Sequence, residues 1–164
     1  MVIITREGMS IRFHEEGVRS MGRSATGVKG IELEKADAVV ALAIIDPNAT
    51  LLVAGENGIG KRTEFEEYRI QSRGGKGIIT MKTGEKTGAV VGALTVLDGD
   101  ELMLITVGGQ MVRIPVKGIR EAGRNTMGVK LIDLAPKDRL QAIAPVISEG
   151  QEDDAVGEPG LPIG

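Results

Sequence analysis

The chain has 164 residues, of which 41% are hydrophobic and 2% aromatic, and its formal net charge is −3. This length and composition can bury a core, either as one domain or as a series of small repeats. The absence of cysteine excludes disulfides and thiolate metal sites and is typical of a reducing, cytoplasmic compartment, and no apolar run approaches the roughly 20 residues that span a bilayer.

Three segments of the chain follow one pattern, and each begins at a glycine. They are GMSIRFHEEGVRSMGRSATG from Gly8, GIGKRTEFEEYRIQSRGGKG from Gly58 and GQMVRIPVKGIREAGRNTMG from Gly109. Without any gap, arginine recurs 4, 11 and 15 positions after that glycine, and a second glycine recurs 19 positions after it. A period of 50 to 51 residues is the length expected of a propeller blade or a similar repeating unit.

Each repeat is predicted to contain four strands. The first two form a hairpin whose second strand ends in arginine, and two further apolar runs follow. In chain order the runs are VIIT, VKGIEL and AVVALAII, then LLVA, IITMK and AVVGALTV, then LMLIT, VKLIDL and LQAIAPVI. Because no stretch keeps a 3.6-residue periodicity, the sequence predicts an all-β fold of three four-stranded blades, at residues 1–50, 51–100 and 101–147.

Three blades do not make a closed ring. Closed propellers have about four to eight blades, and an open array leaves strand edges unpaired. Either the chain is half of a longer ring, which is the reading we favour, or copies of it associate.

The carboxy-terminal segment 148–164 differs from the repeats. It holds five of the 23 acidic residues and no Lys or Arg, which leaves 20 basic against 18 acidic residues in the repeats. Such a Gly- and Pro-rich acidic tail is typically disordered. It serves either solubility or competition with an anionic ligand for the basic surface.

Catalytic, cofactor and metal sites are not predicted. GENGIGKR from Gly55 is close to a phosphate-binding loop, but Arg62 stands where that loop needs Ser or Thr. His14 is the only histidine, so it has no partner for a metal site or a catalytic triad. The paired carboxylates lie in predicted turns or in the tail, and Tyr68 is expected to pack or to stack on a ligand.

The recurring arginines point to a long polyanion. We call those at 4, 11 and 15 positions after the opening glycine the first, second and third arginine columns. Guanidinium groups bind phosphate bidentately, and the N–H groups of glycine-rich turns also bind it. Without a recognition helix or an aromatic platform, little reading of bases is expected. The alternative is that the arginines form ion pairs between blades, and it is strongest for the first column, at the strand ends. The loop arginines that we expect to bind this polyanion are Arg19, Arg23, Arg69, Arg73, Arg120 and Arg124.

Three stretches carry a family resemblance: RSMGRSATGVKGIEL, GKRTEFEEYRIQSRGGKG and REAGRNTMGVKLIDL. They resemble the C-terminal DNA-wrapping domain of DNA gyrase A, and the similarity covers residues 1 to about 147. The resemblance implies a six-bladed β-pinwheel, in which neighbouring blades exchange strands, that bends double-stranded DNA around a basic rim.

The segment QSRGGKG, residues 71–77, resembles the gyrase box Q-R-R-G-G-K-G. In the family this box is required for wrapping, and hence for negative supercoiling. Ser72 replaces the arginine that is usual at the second position of the box, and the box lies in the second repeat rather than in the first blade. Because the third repeat followed by the acidic tail looks like a carboxy-terminal end, the chain resembles blades four to six. The matching residues are Gln71, Arg73, Gly74, Gly75, Lys76 and Gly77.

The resemblance also sets expectations about activity and partners. The DNA-cleaving tyrosine and the ATPase of the family lie in other parts of the enzyme, so this chain alone is expected to be non-catalytic and to need no cofactor. Its implied partners are double-stranded DNA, the rest of gyrase A and the separate gyrase B protein, in the bacterial nucleoid. The alternatives are the corresponding domain of topoisomerase IV, which generally lacks an intact box, and a scaffold whose arginines bind an acidic protein.

Overall fold

The computed structural model describes residues 1–18, 23 and 26–146. The predicted acidic tail and Arg19 lie outside these residues. The strands of the described part are β1 (Val2–Thr5), β2 (Met9–Arg12), β3 (Val39–Ala43), β4 (Thr50–Gly55), β5 (Ile59–Glu64), β6 (Ile78–Ile79), β7 (Val90–Val96), β8 (Glu101–Thr106), β9 (Met111–Pro115), β10 (Val129–Lys130) and β11 (Leu140–Pro145). One-turn 3-10 helices lie at Glu15–Gly17, Phe65–Glu67 and Val116–Gly118.

The strands form three antiparallel sheets in the orders β3-β1-β2-β6, β7-β4-β5-β10 and β11-β8-β9. Each sheet is built on the predicted hairpin, which pairs Ile3 with Ile11, Val53 with Lys61 and Leu104 with Val112. The glycine that opens each repeat lies in the hairpin turn at a φ between 82° and 92°, a conformation that favours glycine. The all-β, blade-like fold predicted from the sequence is therefore confirmed.

The fourth strand of a sheet comes from the following repeat. β6 belongs to the second repeat and pairs with β2 of the first, and β10 of the third repeat pairs with β5 of the second. The strand predicted in VKGIEL is wrong, because residues 26–34 form no strand. In the second and third repeats the equivalent segment pairs with the hairpin of the preceding repeat. Within these 164 residues the first repeat has no preceding repeat to supply that hairpin.

The hydrophobic core lies between the sheets. Val2 and Ile4 of the first sheet pack with Leu51 and Val53 of the second in one buried cluster. The opposite face of β4 packs against β8 in another, which contains Leu52, Ala54, Leu102 and Leu104. Strand β7 contacts both β3 and β11, so these three strands form the inner edge of the array, while β6 and β10 lie at the outer ends of their sheets. A third cluster, with Ile11, Phe13 and Ile31, lies within the first repeat, so the repeats are stabilised both internally and by their neighbours.

In the part of the chain that the structure describes, no helix has the length and apolar character that a bilayer span requires.

Candidate nucleic-acid interface

Two loops connect a 3-10 helix with an outermost strand, and we call them rim loops. The second-repeat rim loop is 69–77, which contains the box-like segment, and the third-repeat rim loop is 120–128. The corresponding loop of the first repeat lies mostly outside the described residues, although Arg23 within it is exposed. Since β6 and β10 are outer strands, both loops lie on the outer edge of the array.

The arginines of the third column join each rim loop to the repeat before it. The Arg73 guanidinium donates to the carbonyl oxygens of Gly17, at 2.8 Å, and Lys29, at 3.1 Å. That of Arg124 donates to the carbonyl oxygen of Ile79, at 2.9 Å. Lys29 and Ile79 occupy the same position in their repeats, so one contact recurs at both joints. These two side chains therefore connect blades as well as carrying charge to the rim.

The backbone of the box-like segment is also engaged by the first repeat. The Gly74 N–H donates to the Gly30 carbonyl, at 2.6 Å, and the Gly75 carbonyl accepts from the Glu32 N–H, at 2.7 Å. Gly74 has a φ of 89°, which permits this close approach. The loop thus holds the backbone of the neighbouring blade, and its N–H at Gly74 has a protein acceptor.

The arginines of the first column connect each repeat to the one after it. Arg12 donates to the carbonyl oxygens of Phe65, at 2.9 Å, and Tyr68, at 3.1 Å. Buried Arg62 donates to the carbonyl oxygen of Ile119, at 2.9 Å, which is equivalent to that of Tyr68. The inter-blade alternative is therefore correct for these two residues, although most of their acceptors are backbone carbonyls rather than carboxylates. Arg113, in the last repeat, pairs with Glu101 of its own hairpin.

The remaining cations of the rim loops point to solvent. Arg69 and Arg120, from the second column, are exposed and make no side-chain hydrogen bond or ion pair with any described residue. The Lys76 side chain is 70% exposed, and its Nζ lies 3.8 Å from a Glu34 carboxylate oxygen. At that exposure such a pair contributes little to stability. These three side chains are the ones the rim can offer to an anionic ligand.

Lys61 is a further basic residue near the rim, and we did not identify it from the sequence. Its side chain is fully buried, and its Nζ donates to the carbonyl oxygens of Gly123 and Arg124, both at 2.6 Å. The Thr126 carbonyl and hydroxyl oxygens lie 3.0 Å from it. The available signal was a lysine on a buried strand at the position that Ile11 and Val112 occupy in the other repeats.

The other residues considered as candidate sites have structural roles or lie at the surface. Tyr68 is buried, and its hydroxyl forms a short hydrogen bond with the Thr80 hydroxyl, so it packs. The Gly55–Arg62 stretch forms the β4–β5 hairpin rather than a strand-to-helix turn, and His14 is exposed. Among the described residues, no three His, Cys, Asp or Glu side chains converge as metal ligands would.

Lys61 predicts an unusual pH dependence of stability. Burial lowers the pKa of the Lys61 ammonium to about 8, with Glu67 opposing this shift and Arg124 adding to it. Between pH 8 and about 10.5 the unfolded chain therefore binds more protons than the folded one, so the free energy of unfolding should rise with pH. The expected slope is at most about 1.4 kcal/mol per pH unit.

Denaturant unfolding at intervals between pH 7 and 9.5 measures this slope. Burial raises the pKa of Tyr68, which should reverse the trend above about pH 10. In a Lys61→Met variant the rise between pH 8 and 9.5 should disappear. A wild-type stability that stays flat or falls in that window would contradict the lowered pKa.

Comparison with protein families gives one model that matches the chain. The family is described as the DNA gyrase C-terminal domain, beta-propeller, and it matches residues 1–46, 49–96 and 100–147. Each of these matches overlaps one of the three repeats.

A curated relative and two solved structures show the same similarity. The A subunit of DNA gyrase from Haloquadratum walsbyi is 48% identical over 145 residues, which is 87% of this chain and 17% of the relative. A DNA gyrase A C-terminal domain matches with a TM-score of 0.83 and 28% identity, over 89% of this chain and 50% of the other. The C-terminal domain of a DNA topoisomerase IV superposes with a TM-score of 0.88, over 98% of this chain and 51% of the other, but at 23% identity that likeness concerns the fold alone.

Proposed function

The chain belongs to the family of the DNA gyrase C-terminal domain, and from that membership we propose that it binds double-stranded DNA along its outer rim and bends it. The rim is formed by the second- and third-repeat rim loops. In this proposal the chain acts as part of a gyrase A protein and supports the introduction of negative supercoils.

The observation that carries the proposal is the recurrence of exposed cations at the rim. Arg69 and Arg120 are equivalent residues of successive repeats, and Lys76 lies in the same loop as Arg69. The second and third repeats therefore each place an exposed arginine at the same position along the outer edge. A nucleic-acid backbone offers phosphates in a series that such cations can contact. Each phosphate that they neutralise releases counterions, which favours binding.

The inter-blade arginines explain how the rim could bend DNA rather than merely bind it. Arg12 and Arg62 tie neighbouring repeats together through partly buried or buried hydrogen bonds, and Arg73 and Arg124 do so through exposed ones. The angle between blades is then set before DNA arrives. Bending a duplex over a site of 20 to 30 base pairs costs on the order of 1–6 kcal/mol, and a preformed arc can offset this through additional phosphate contacts.

The proposal assigns no chemistry to this chain. Strand cleavage and ATP hydrolysis would belong to other parts of the enzyme, and the partners would be the remainder of gyrase A and the separate gyrase B protein. Recognition of the DNA would be largely independent of sequence, because the rim offers guanidinium and ammonium groups and no helix that could enter a groove.

A triple variant tests the rim directly. Replacing Arg69, Lys76 and Arg120 with glutamine should weaken binding to a long duplex by at least about tenfold at low salt. It should also reduce the slope of log affinity against log salt by up to about 2.7, since each phosphate contact contributes about 0.9. A salt-titrated gel shift with a DNA-bending assay measures both quantities.

The matched control removes the same charge elsewhere. Lys35, Lys86 and Lys137 are exposed and lie one per repeat in the loops that precede the inner strands β3, β7 and β11. Their replacement with glutamine should leave the bending unchanged and lower affinity only slightly. Equal losses in the two triple variants would contradict a specific rim. If the wild-type chain binds no DNA at low salt, a protein-binding scaffold becomes the better interpretation.

A further inference from the structure

A buried ammonium group lies directly beneath the third-repeat rim loop. Lys61 Nζ has four oxygen atoms at 2.6 to 3.0 Å, from Gly123, Arg124 and Thr126. Its side chain is fully buried, and it comes from β5 of the second repeat, whereas all four oxygens belong to the third. A lysine of one blade thus fixes the loop backbone of the next.

The equivalent position in the first repeat is apolar, and the loop above it differs accordingly. Gly75 lies close to the Ile11 side chain, so the second-repeat rim loop rests on a hydrocarbon surface and carries its own exposed cation, Lys76. In the third-repeat rim loop, Thr126 and Met127 replace Gly75 and Lys76. In that loop the carbonyl groups of Gly123, Arg124 and Thr126 point inward, and the buried Lys61 ammonium donates to all three.

An apolar residue would fill this position at lower cost if packing were its only purpose. Burying a charge is unfavourable unless hydrogen bonds compensate for the lost water, and here the compensating bonds all go to one loop. Hydrogen bonds to a charged donor are also about twice as strong as neutral ones. The arrangement therefore restricts the backbone of residues 123–126 much more than an isoleucine would.

We propose that Lys61 is a positioning residue for DNA binding, which holds the third-repeat rim loop in the geometry that presents Arg120 to the phosphate backbone. The inference rests on the proposed function. Lys61 itself is buried and does not contact the DNA. Its effect passes through the loop, with Arg120 and Ala122 already anchored by backbone hydrogen bonds to Arg62.

Amide hydrogen exchange tests the loop independently of DNA. The Lys82 N–H donates to the Thr126 carbonyl, and the Ala122 N–H donates to the Arg62 carbonyl, so both amides report on the loop. In Lys61→Met they should exchange at least roughly tenfold faster, the lower end for losing a hydrogen bond to a charged group. In Ile11→Met, the matched change in the first repeat, the same two amides should exchange at the wild-type rate.

DNA binding is then measured on the same variants. Lys61→Met should weaken binding by about threefold to tenfold and reduce the slope of log affinity against log salt by up to about 0.9, the contribution of one phosphate contact. Because Lys61→Met also alters stability, a Lys61→Ala variant is tested with propylammonium ions, which can replace the missing part of the side chain. Affinity and slow amide exchange should recover in propylammonium chloride but not in sodium chloride of equal ionic strength. If Lys61→Met does not fold, Thr126→Val, which removes one of the four oxygens, gives the same test at lower amplitude.

The outcomes separate this inference from the proposed function. Unchanged exchange at Lys82 and Ala122 in Lys61→Met would overturn it, as would faster exchange with unchanged DNA affinity. A failure of propylammonium to restore the loop would overturn it as well. A wild-type chain that binds no DNA would contradict the proposed function, and with it the positioning role, even if the amides show that Lys61 holds the loop.

Discussion

Replacement of Gly77 by alanine is expected to lower the free energy of unfolding by about 3 kcal/mol or more. Gly77 has a φ of 81°, and alanine in that conformation costs about 1 kcal/mol. A Cβ atom there would also overlap with the carbonyl oxygen of Ser10 in the first repeat. Because this obstacle is backbone within a strand, the sheet must open at the β2–β6 junction, and large losses of this kind follow from such overlaps.

Gly27 provides the matched control, since it occupies the same position in the first repeat. Its φ is 93°, but a Cβ atom would meet no atom of the described residues within 4 Å. Gly27→Ala should therefore cost only the conformational strain, about 1 kcal/mol. Urea unfolding followed by circular dichroism gives both values. Similar losses in the two variants would show that strain, and not the contact between repeats, makes the glycine necessary.

This glycine column shows what the sequence could predict and what it could not. Its spacing of 19 residues from the hairpin glycine was visible, and the hairpins followed from alternating apolar residues next to glycine turns. The reason for the column was not visible, because the atom that excludes a side chain belongs to another repeat. For the same reason the segment 28–33 was expected to be a strand, although its pairing partner would lie in a neighbouring repeat.

The arginine columns had the same difficulty. Recurrence in the sequence shows that an arginine is needed in every repeat. It does not show the role of that arginine, because an inter-blade hydrogen bond and a phosphate contact both suit a guanidinium group. The structure separates the columns by their surroundings. Arg12 and Arg62 lie against carbonyls of the next repeat, Arg73 and Arg124 against those of the previous one, and Arg69 is exposed.

Lys61 was missed for a different reason. Its neighbours in the sequence suggested a nucleotide loop, and that test was negative. The oxygens that surround its Nζ come from residues 62 to 65 positions further along the chain. The only sign in the sequence was that a lysine stands where the other two repeats have the apolar residues Ile11 and Val112.

The inter-blade contacts imply that the rigidity of the arc depends on a few buried side chains. Arg62→Ala should lower the free energy of unfolding by about 3 kcal/mol, because Arg62 is 6% exposed and its loss leaves the Ile119 carbonyl without this donor. The ion pair with Asp98, at 2.6 Å, is lost as well. The lost hydrogen bond to the charged Arg62 side chain contributes about 1.5–3 kcal/mol. Asp98 is 78% exposed, so its ion pair adds at most about 1 kcal/mol.

Arg113 belongs to the same column and gives the comparison. Its side chain is 53% exposed and pairs with Glu101 of the same hairpin, so Arg113→Ala should cost no more than about 1 kcal/mol. Urea unfolding of the two variants should also differ in cooperativity: only Arg62→Ala weakens the joint between the second and third repeats, and it should broaden the transition. Since bending requires a fixed angle at that joint, Arg62→Ala should reduce DNA bending more than DNA affinity. Equal stabilities, or a loss of affinity without a loss of bending, would show that the rim does not depend on this joint.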